Sequence, residues 1–251
     1  MVPEVALSQA LAFARDLRSL YEAARAREAD LRAANARLSA AYQQSLRYAE
    51  DLKKTHRRLQ RAIFQSLQGL ANALEAKDAY TRGHSERVAA LAEQTAVAAG
   101  LAKAAAATVA QAGLLHDLGK IAVPEAILRK PGPLTPDEWQ VMRRHPLTGA
   151  HIVAPLDFFS EAAVIVRHHH ERYDGSGYPD GLQGEAIPLG ARIVAIADVY
   201  DALTSDRPYR RGLPADGAIQ RLKDEAGRTL DGPLTTVFVD LIAHATARRP
   251  V

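Results

Sequence analysis

From Leu7 to Ile63 the chain contains neither glycine nor proline, and alanine, leucine, arginine and glutamine dominate the stretch. Little but one long helix suits such a run. Every seventh residue gives Leu7, Ala14, Tyr21, Glu28, Asn35, Tyr42, Ala49, His56 and Ile63; the interleaved set is Ala10, Leu17, Ala24, Leu31, Leu38, Ser45, Leu52 and Leu59. With alanine and tyrosine counted as apolar, 13 of these 17 positions form a heptad seam. The polar exceptions, Asn35 above all, weaken the seam and pin its register. A lone helix of this length cannot bury its own stripe. The spacing therefore predicts a coiled coil over residues 1–65 that forms a homodimer. Such a rod either only dimerises the chain or also relays a conformational change.

Charge is unevenly spread. Residues 1–65 hold 12 Lys/Arg against 7 Asp/Glu, net +5, whereas the rest holds 20 against 22, net −2. Acidic residues interleave throughout the basic segment, so it reads as a solvated helix face and not as a site for a nucleic-acid polymer. No apolar run approaches the roughly 20 residues that span a bilayer. Met1 to Arg15 lacks a signal-peptide pattern, and the expected setting is the cytoplasm. There is no cysteine, which excludes disulfides, thiolate metal sites and cysteine nucleophiles. Any metal must be held by imidazole and carboxylate.

Beyond about Gln65 glycine, proline and histidine enter, and eight of the nine histidines lie after residue 80. The pattern stays helical, without clean strand alternation, and the expected fold is all-α. Helices are predicted over Ala62–Lys77, continuous with or kinked from the rod, over His84–Ala99 stopped by Gly100, and over Lys103–Leu118 stopped by Gly119. Thr135-Pro136-Asp137-Glu138 reads as a capping box with proline at the first helical position. Ser160-Glu161 opens a helix that ends in the histidine run; Leu189–Leu203, Ala215–Ala226 and Leu234–Ala245 complete the set. The glycine-rich stretch from Glu171 to Pro188 is too long for an idle connection.

The most informative pair is His116-Asp117, in Leu114-Leu115-His116-Asp117-Leu118-Gly119-Lys120. Adjacent imidazole and carboxylate groups sit about 100° apart on a helix and can converge on a metal pair beside it. Alone, the dipeptide is more often an ordinary core histidine hydrogen-bonded to a carboxylate. Its company changes the reading: His84, His145, the run His168-His169-His170-Glu171, and Asp198 lie on other segments. Ligands delivered one or two at a time from several helices are how bundle cores build metal sites. Burying so many ionisable groups without a metal would be costly.

These residues carry a family resemblance. The segment from about Ala76 to Arg210 resembles the HD-GYP subfamily of HD-domain phosphohydrolases. His116-Asp117 takes the HD position and Gly177-Tyr178-Pro179 the GYP position, inside His169-His170-Glu171-Arg172-Tyr173-Asp174-Gly175-Ser176-Gly177-Tyr178-Pro179. The run from Ala197 to Arg210, with Asp198-Val199-Tyr200-Asp201-Ala202-Leu203-Thr204, matches the next block of the signature. The resemblance implies a helical HD-domain bundle over residues 66–251 and a substrate, cyclic di-GMP, hydrolysed to pGpG and in some members to GMP. It also implies two divalent metal ions, iron or manganese, with zinc and nickel compatible with the same ligands.

By motif, Asp117 would bridge the ions. His116 and Asp198 would complete one side, with His84 on that side or toward an extra ion, and His145, His169 and His170 would hold the other. His168 is left as a helix-end residue. Lys120 would face the scissile phosphate, and Arg207 and Arg210 would grip the substrate's phosphates with their planar forks. One position departs: where some members carry a glutamate for a third metal, this chain has Tyr80, and Asp78 or Glu75 would have to reach in from another face. Two ions would neutralise the phosphoryl oxygen and activate a shared hydroxide, with Lys120 stabilising charge in the transition state.

Tyr178 and its loop would either wall the substrate groove, packing on a base or meeting signalling partners, or serve as a rigid support for His169 and His170. Asp201, one turn after Asp198, either orients a ligand from behind or is an ordinary hydrogen-bonded residue. Trp139 and Tyr173 read as packing or surface aromatics, and His56, His151 and His244 as ordinary. Against the enzyme stand two alternatives, a non-catalytic cyclic di-GMP receptor and a hydrolase of a related cyclic dinucleotide.

Overall fold

The computed structural model describes residues 2–77, 83–206 and 211–247. Helix α1 (Val2–Lys77) follows from the breaker-free sequence and is one continuous helix through residue 62, the first of the two alternatives left open by the sequence. The chain divides into two compact units, residues 1–61 and 62–251. In the first, the seam leucines lie bare: Leu17, Leu31, Leu38, Leu52 and Leu59 are 58–71% exposed. No helix of the described residues is long and apolar enough to cross a membrane.

The second unit begins with the last part of α1 and continues through α2 (His84–Ala98), α3 (Lys103–Leu115), α4 (Glu125–Leu128), α5 (Pro136–Met142) and α6 (His145–Val153). It ends with α7 (Ser160–His168), α8 (Leu189–Thr204), α9 (Ala215–Glu225) and α10 (Gly232–Ala247). Among the described residues no strand forms, only an isolated bridge between Ala226 and Leu230. Val88, Ala92 and Ala96 of α2 recur at helical spacing and are fully buried, with Ala106 and Ala112 of α3 and Ala191, Ile193, Val194 and Ile196 of α8. Alanine on these faces lets helix axes approach closely. Each large side chain buried with them, such as Leu115, Phe159 or Phe238, contributes about 1.5–3 kcal/mol. Thr135 caps α5 as expected, its hydroxyl accepting from the Glu138 amide while Glu138 accepts from the Thr135 amide.

Helix α3 is shorter than the sequence predicts. It ends at Leu115, with His116 as its C-cap, and a 3-10 turn (Leu118–Ala122) takes the chain onward. The cause is local: the His116 Nδ1–H donates to the Gly113 carbonyl at 2.7 Å, occupying an acceptor that the helix end leaves free. Gly119 is not a left-handed helix stop, since its φ is not positive. It is glycine because a β-carbon there would collide with the carbonyl of His145 and the amide of Gly149. The 3-10 turn thus packs main chain to main chain against α6, a helix that the sequence pattern does not announce.

Candidate metal centre

Seven side chains singled out in the sequence meet in one place, supplied by α2, the end of α3, α6, the end of α7 and α8. Three overlapping groups form: His84, His116 and Asp198; His116, Asp117 and His169; and His145, His169 and His170. Within each, one ligand atom per residue lies within 4.8 Å of the others. Asp117 turns Oδ2 to His116 Nε2 at 3.5 Å and Oδ1 to His145 Nε2 at 3.4 Å. One carboxylate thereby faces imidazoles of two different groups. Asp198 Oδ1 lies 3.3 Å from His84 Nε2 and 4.0 Å from His116 Nε2.

The backbone decides which nitrogen of each ring points inward. His116, His145 and His169 each donate Nδ1–H to the carbonyl three residues earlier, on Gly113, Met142 and Val166, at 2.7, 2.9 and 2.7 Å. That leaves their Nε2 lone pairs turned to the cluster. His145 Nε2 and His169 Nε2 stand 3.4 Å apart; two unprotonated nitrogens so opposed repel unless they share a cation. An imidazole and carboxylate donor set with its tautomers fixed from behind fits divalent transition metals.

The two sides of the cluster carry different charge. Burial lowers His145 against the pull of Asp117, holds His169 well below its ordinary value and pushes His170 down to about 3. These rings are held neutral. His84 behaves oppositely: burial opposes its protonation, but hydrogen bonds to Asp198 and Asp201 prevail and raise it to about 10. Its Nδ1 meets Asp201 Oδ2 at 2.7 Å, and Arg87 clasps the same carboxylate at 2.6 and 3.0 Å. Burial works to raise Asp117, Asp198 and Asp201, and neighbouring cations overcome it in each case: Lys120 first for Asp117, His84 first for the other two. Lys120 Nζ bonds Asp117 Oδ2 at 2.6 Å.

The loop after α7 is built around Glu171, only 4% exposed, whose carboxylate accepts the amides of Asp180, Gly181 and Leu182 at 2.7–3.1 Å. Gly177 passes so close to the backbone of Glu171 and Arg172 that a β-carbon would collide with it. Tyr178 donates its amide to the His170 carbonyl at 3.2 Å and lays its ring on that of His170, centroids 4.9 Å apart. The segment that carries Tyr178 thus backs His170 directly.

His168 does not join the cluster: its Nδ1 meets the Val164 carbonyl at 2.8 Å and its Nε2 meets Asp180 at 2.9 Å. Glu75 stays outside the three groups, its oxygens taking the amides of Gly83 and Ser85 at 2.8 and 2.7 Å. That holds the start of α2 on either side of His84. Asp78, Tyr80, Arg207 and Arg210 lie outside the described residues. The sequence reading missed the anchoring by Glu75, Arg87 and Glu171, and it missed Arg143, whose guanidinium lies 4.6 Å over the Tyr178 ring. Periodicity holds no signal for any of them, because each acts across a loop or between helices.

A family model described as HD domain matches residues 68–234. Over 169 residues, 66% of this chain and 45% of the relative, the chain is 47% identical to the cyclic di-GMP phosphodiesterase response regulator RpfG of Xanthomonas campestris. It is 38% identical over 192 residues, 76% of this chain and 35% of the relative, to the 3'3'-cGAMP-specific phosphodiesterase 2 of Vibrio cholerae. The chain therefore spans less than half the length of either. The crystal structure of a cyclic GMP-AMP specific phosphodiesterase of V. cholerae, V-cGAP3, shares the fold with TM-score 0.59 at 18% identity, over 73% of this chain and 49% of that one. With the matched model reaching across most of its length, and with His116-Asp117 and Gly177-Tyr178-Pro179 brought to the same site, the chain belongs to the HD-domain family, in its HD-GYP form.

Proposed function

We propose that the chain is a metal-dependent phosphodiesterase that hydrolyses cyclic di-GMP to pGpG, and on to GMP if the linear product re-enters. The observation that carries this reading is Asp117, whose two oxygens face imidazoles of separate groups. In this reading His84, His116 and Asp198 would hold one divalent ion, His145, His169 and His170 would hold a second, and Asp117 would serve both. Iron or manganese suits the donors. When bound, the ions supply a Lewis acid for the phosphoryl oxygen and a water deprotonated near neutral pH.

The chain's own groups do the remaining work. Lys120 orients Asp117 and meets negative charge as it grows on the phosphate. Arg207 and Arg210 hold the phosphates, and Tyr178 walls the substrate groove. The N-terminal seam, exposed in a single copy, pairs two chains as a coiled coil over residues 1–65, ahead of a catalytic domain over residues 66–251. Sedimentation of the full chain checks the pairing: a dimer is expected, and a monomer at micromolar concentration removes it.

The deciding experiment joins metal analysis to product chromatography on one preparation loaded anaerobically with iron or manganese. Formation of pGpG or GMP is expected. Full metal occupancy without product removes the enzyme reading, and tight binding without turnover replaces it with a receptor. A second substrate is favoured by the relative that is 38% identical and named as specific for 3'3'-cGAMP. Competition between the two cyclic dinucleotides in one assay ranks them.

A further inference from the structure

We propose that Arg143 is a substrate-binding residue, held over Tyr178 to receive a phosphate of the cyclic dinucleotide; this rests on the phosphodiesterase reading above. Arg143 is the C-cap of α5 and stands two residues before His145. Its guanidinium carbon lies 4.6 Å from the Tyr178 ring centroid, Tyr178 lies on His170, and His170 meets His145 edge-on at 4.9 Å. A continuous stack therefore leads from an exposed cation to the ligand cluster.

Five other arginines of this unit are neutralised. Arg87 pairs with Asp201, Arg129 with Glu125, Arg167 with Asp180, Arg192 with Asp231 and Arg228 with Glu225. Among the described residues no carboxylate or hydrogen-bond acceptor engages the Arg143 side chain, and its one contact of note is a ring face. A guanidinium on an aromatic face keeps its in-plane N–H donors free while its direction is fixed. That is the state in which a planar fork takes a phosphodiester oxygen pair with little ordering left to do. The platform is itself rigid, because Gly177 and the Glu171 clasp fix the Tyr178 backbone. A binding role without contact to the reacting atoms follows from the side chain's outward position.

The test uses the full chain loaded with manganese and compares wild type, Arg143→Ala, Arg143→Lys and Tyr178→Phe on cyclic di-GMP and 3'3'-cGAMP. For Arg143→Ala, KM should rise about tenfold with kcat within about twofold, and the salt dependence of KM should flatten. Arg143→Lys keeps the charge without the fork and should recover part of the loss. Tyr178→Phe keeps the platform and should leave that salt dependence in place. Metal content should be the same in all four. An unchanged KM in Arg143→Ala, or a fall in kcat that tracks metal loss, overturns the assignment. If wild type turns over neither dinucleotide, the catalytic reading fails separately, and calorimetric binding of both decides Arg143. Equal affinity in wild type and Arg143→Ala, or binding to neither, then overturns the proposal.

Discussion

The two sides of the ligand cluster are built from the same residue types and prepared in opposite ways. Around His145, His169 and His170, backbone carbonyls behind two of the rings and deep burial yield neutral imidazoles. Around His84, a lattice of carboxylates with Arg87 favours the protonated ring. A cation arriving at the first side would meet lone pairs; at the second it would have to displace a proton. The difference teaches that the groups behind each ring, not the residue types in the cluster, set its charge.

Removing the shared residue should abolish the distinction. Asp117→Ala is expected to lose both ions and at least about a thousandfold in activity, as read by metal analysis and turnover; retention of one ion would show that Asp117 serves a single side. The next pair should split the sides. His169→Ala should empty the neutral side alone, whereas Asp201→Asn should weaken only the His84 side, by about 10–100-fold in metal affinity. Equal loss in both variants, measured by competition with a chelator, breaks the comparison.

A smaller effect is expected from the anchors. Glu171→Ala leaves three loop amides without their acceptor, at about 1–3 kcal/mol, seen as a lower Tm with weakened metal binding on the neutral side. Glu75→Ala should do the same for the His84 side through the amides of Gly83 and Ser85. If either change reached the opposite side, the two supports would not be independent.

The smallest effect concerns Asp180, held down to about 2, chiefly by Arg167 and then by His168. Its pairing is partly exposed and contributes at most about 1 kcal/mol. A depressed carboxyl stabilises the fold above its ordinary value of about 4 and loses that contribution as pH falls through about 2. Asp180→Asn should therefore lower Tm slightly near neutral pH, and the gap should close in acid.

Without cysteine, chemistry limited a metal site to imidazole and carboxylate, and it was the resemblance to the HD-GYP signature that picked His84, His116, Asp117, His145, His169, His170 and Asp198, the side chains that form the candidate cluster. The long helix was legible from the absence of breakers between Leu7 and Ile63. The 3-10 turn after Asp117 was not, since it depends on Gly119 meeting His145, 26 residues away. Helix α6 was hidden because Pro146 and Gly149 sit inside a nine-residue stretch and mask its period. The division between neutral and charged sides was equally out of reach, for it arises from which carbonyl or carboxylate stands behind each ring.

The bare glycine at 119 has a consequence for how the site can be tuned. Where the turn that carries Lys120 meets α6, there is no side chain to trim or lengthen, so the gap between the loop after Asp117 and the segment bearing His145 is gauged by peptide planes alone. Substitutions elsewhere can alter the side chains around the cluster, but the spacing across this seam behaves as a fixed dimension of the molecule. Any engineered change of the distance between Asp117 and His145 would have to begin by rebuilding the turn.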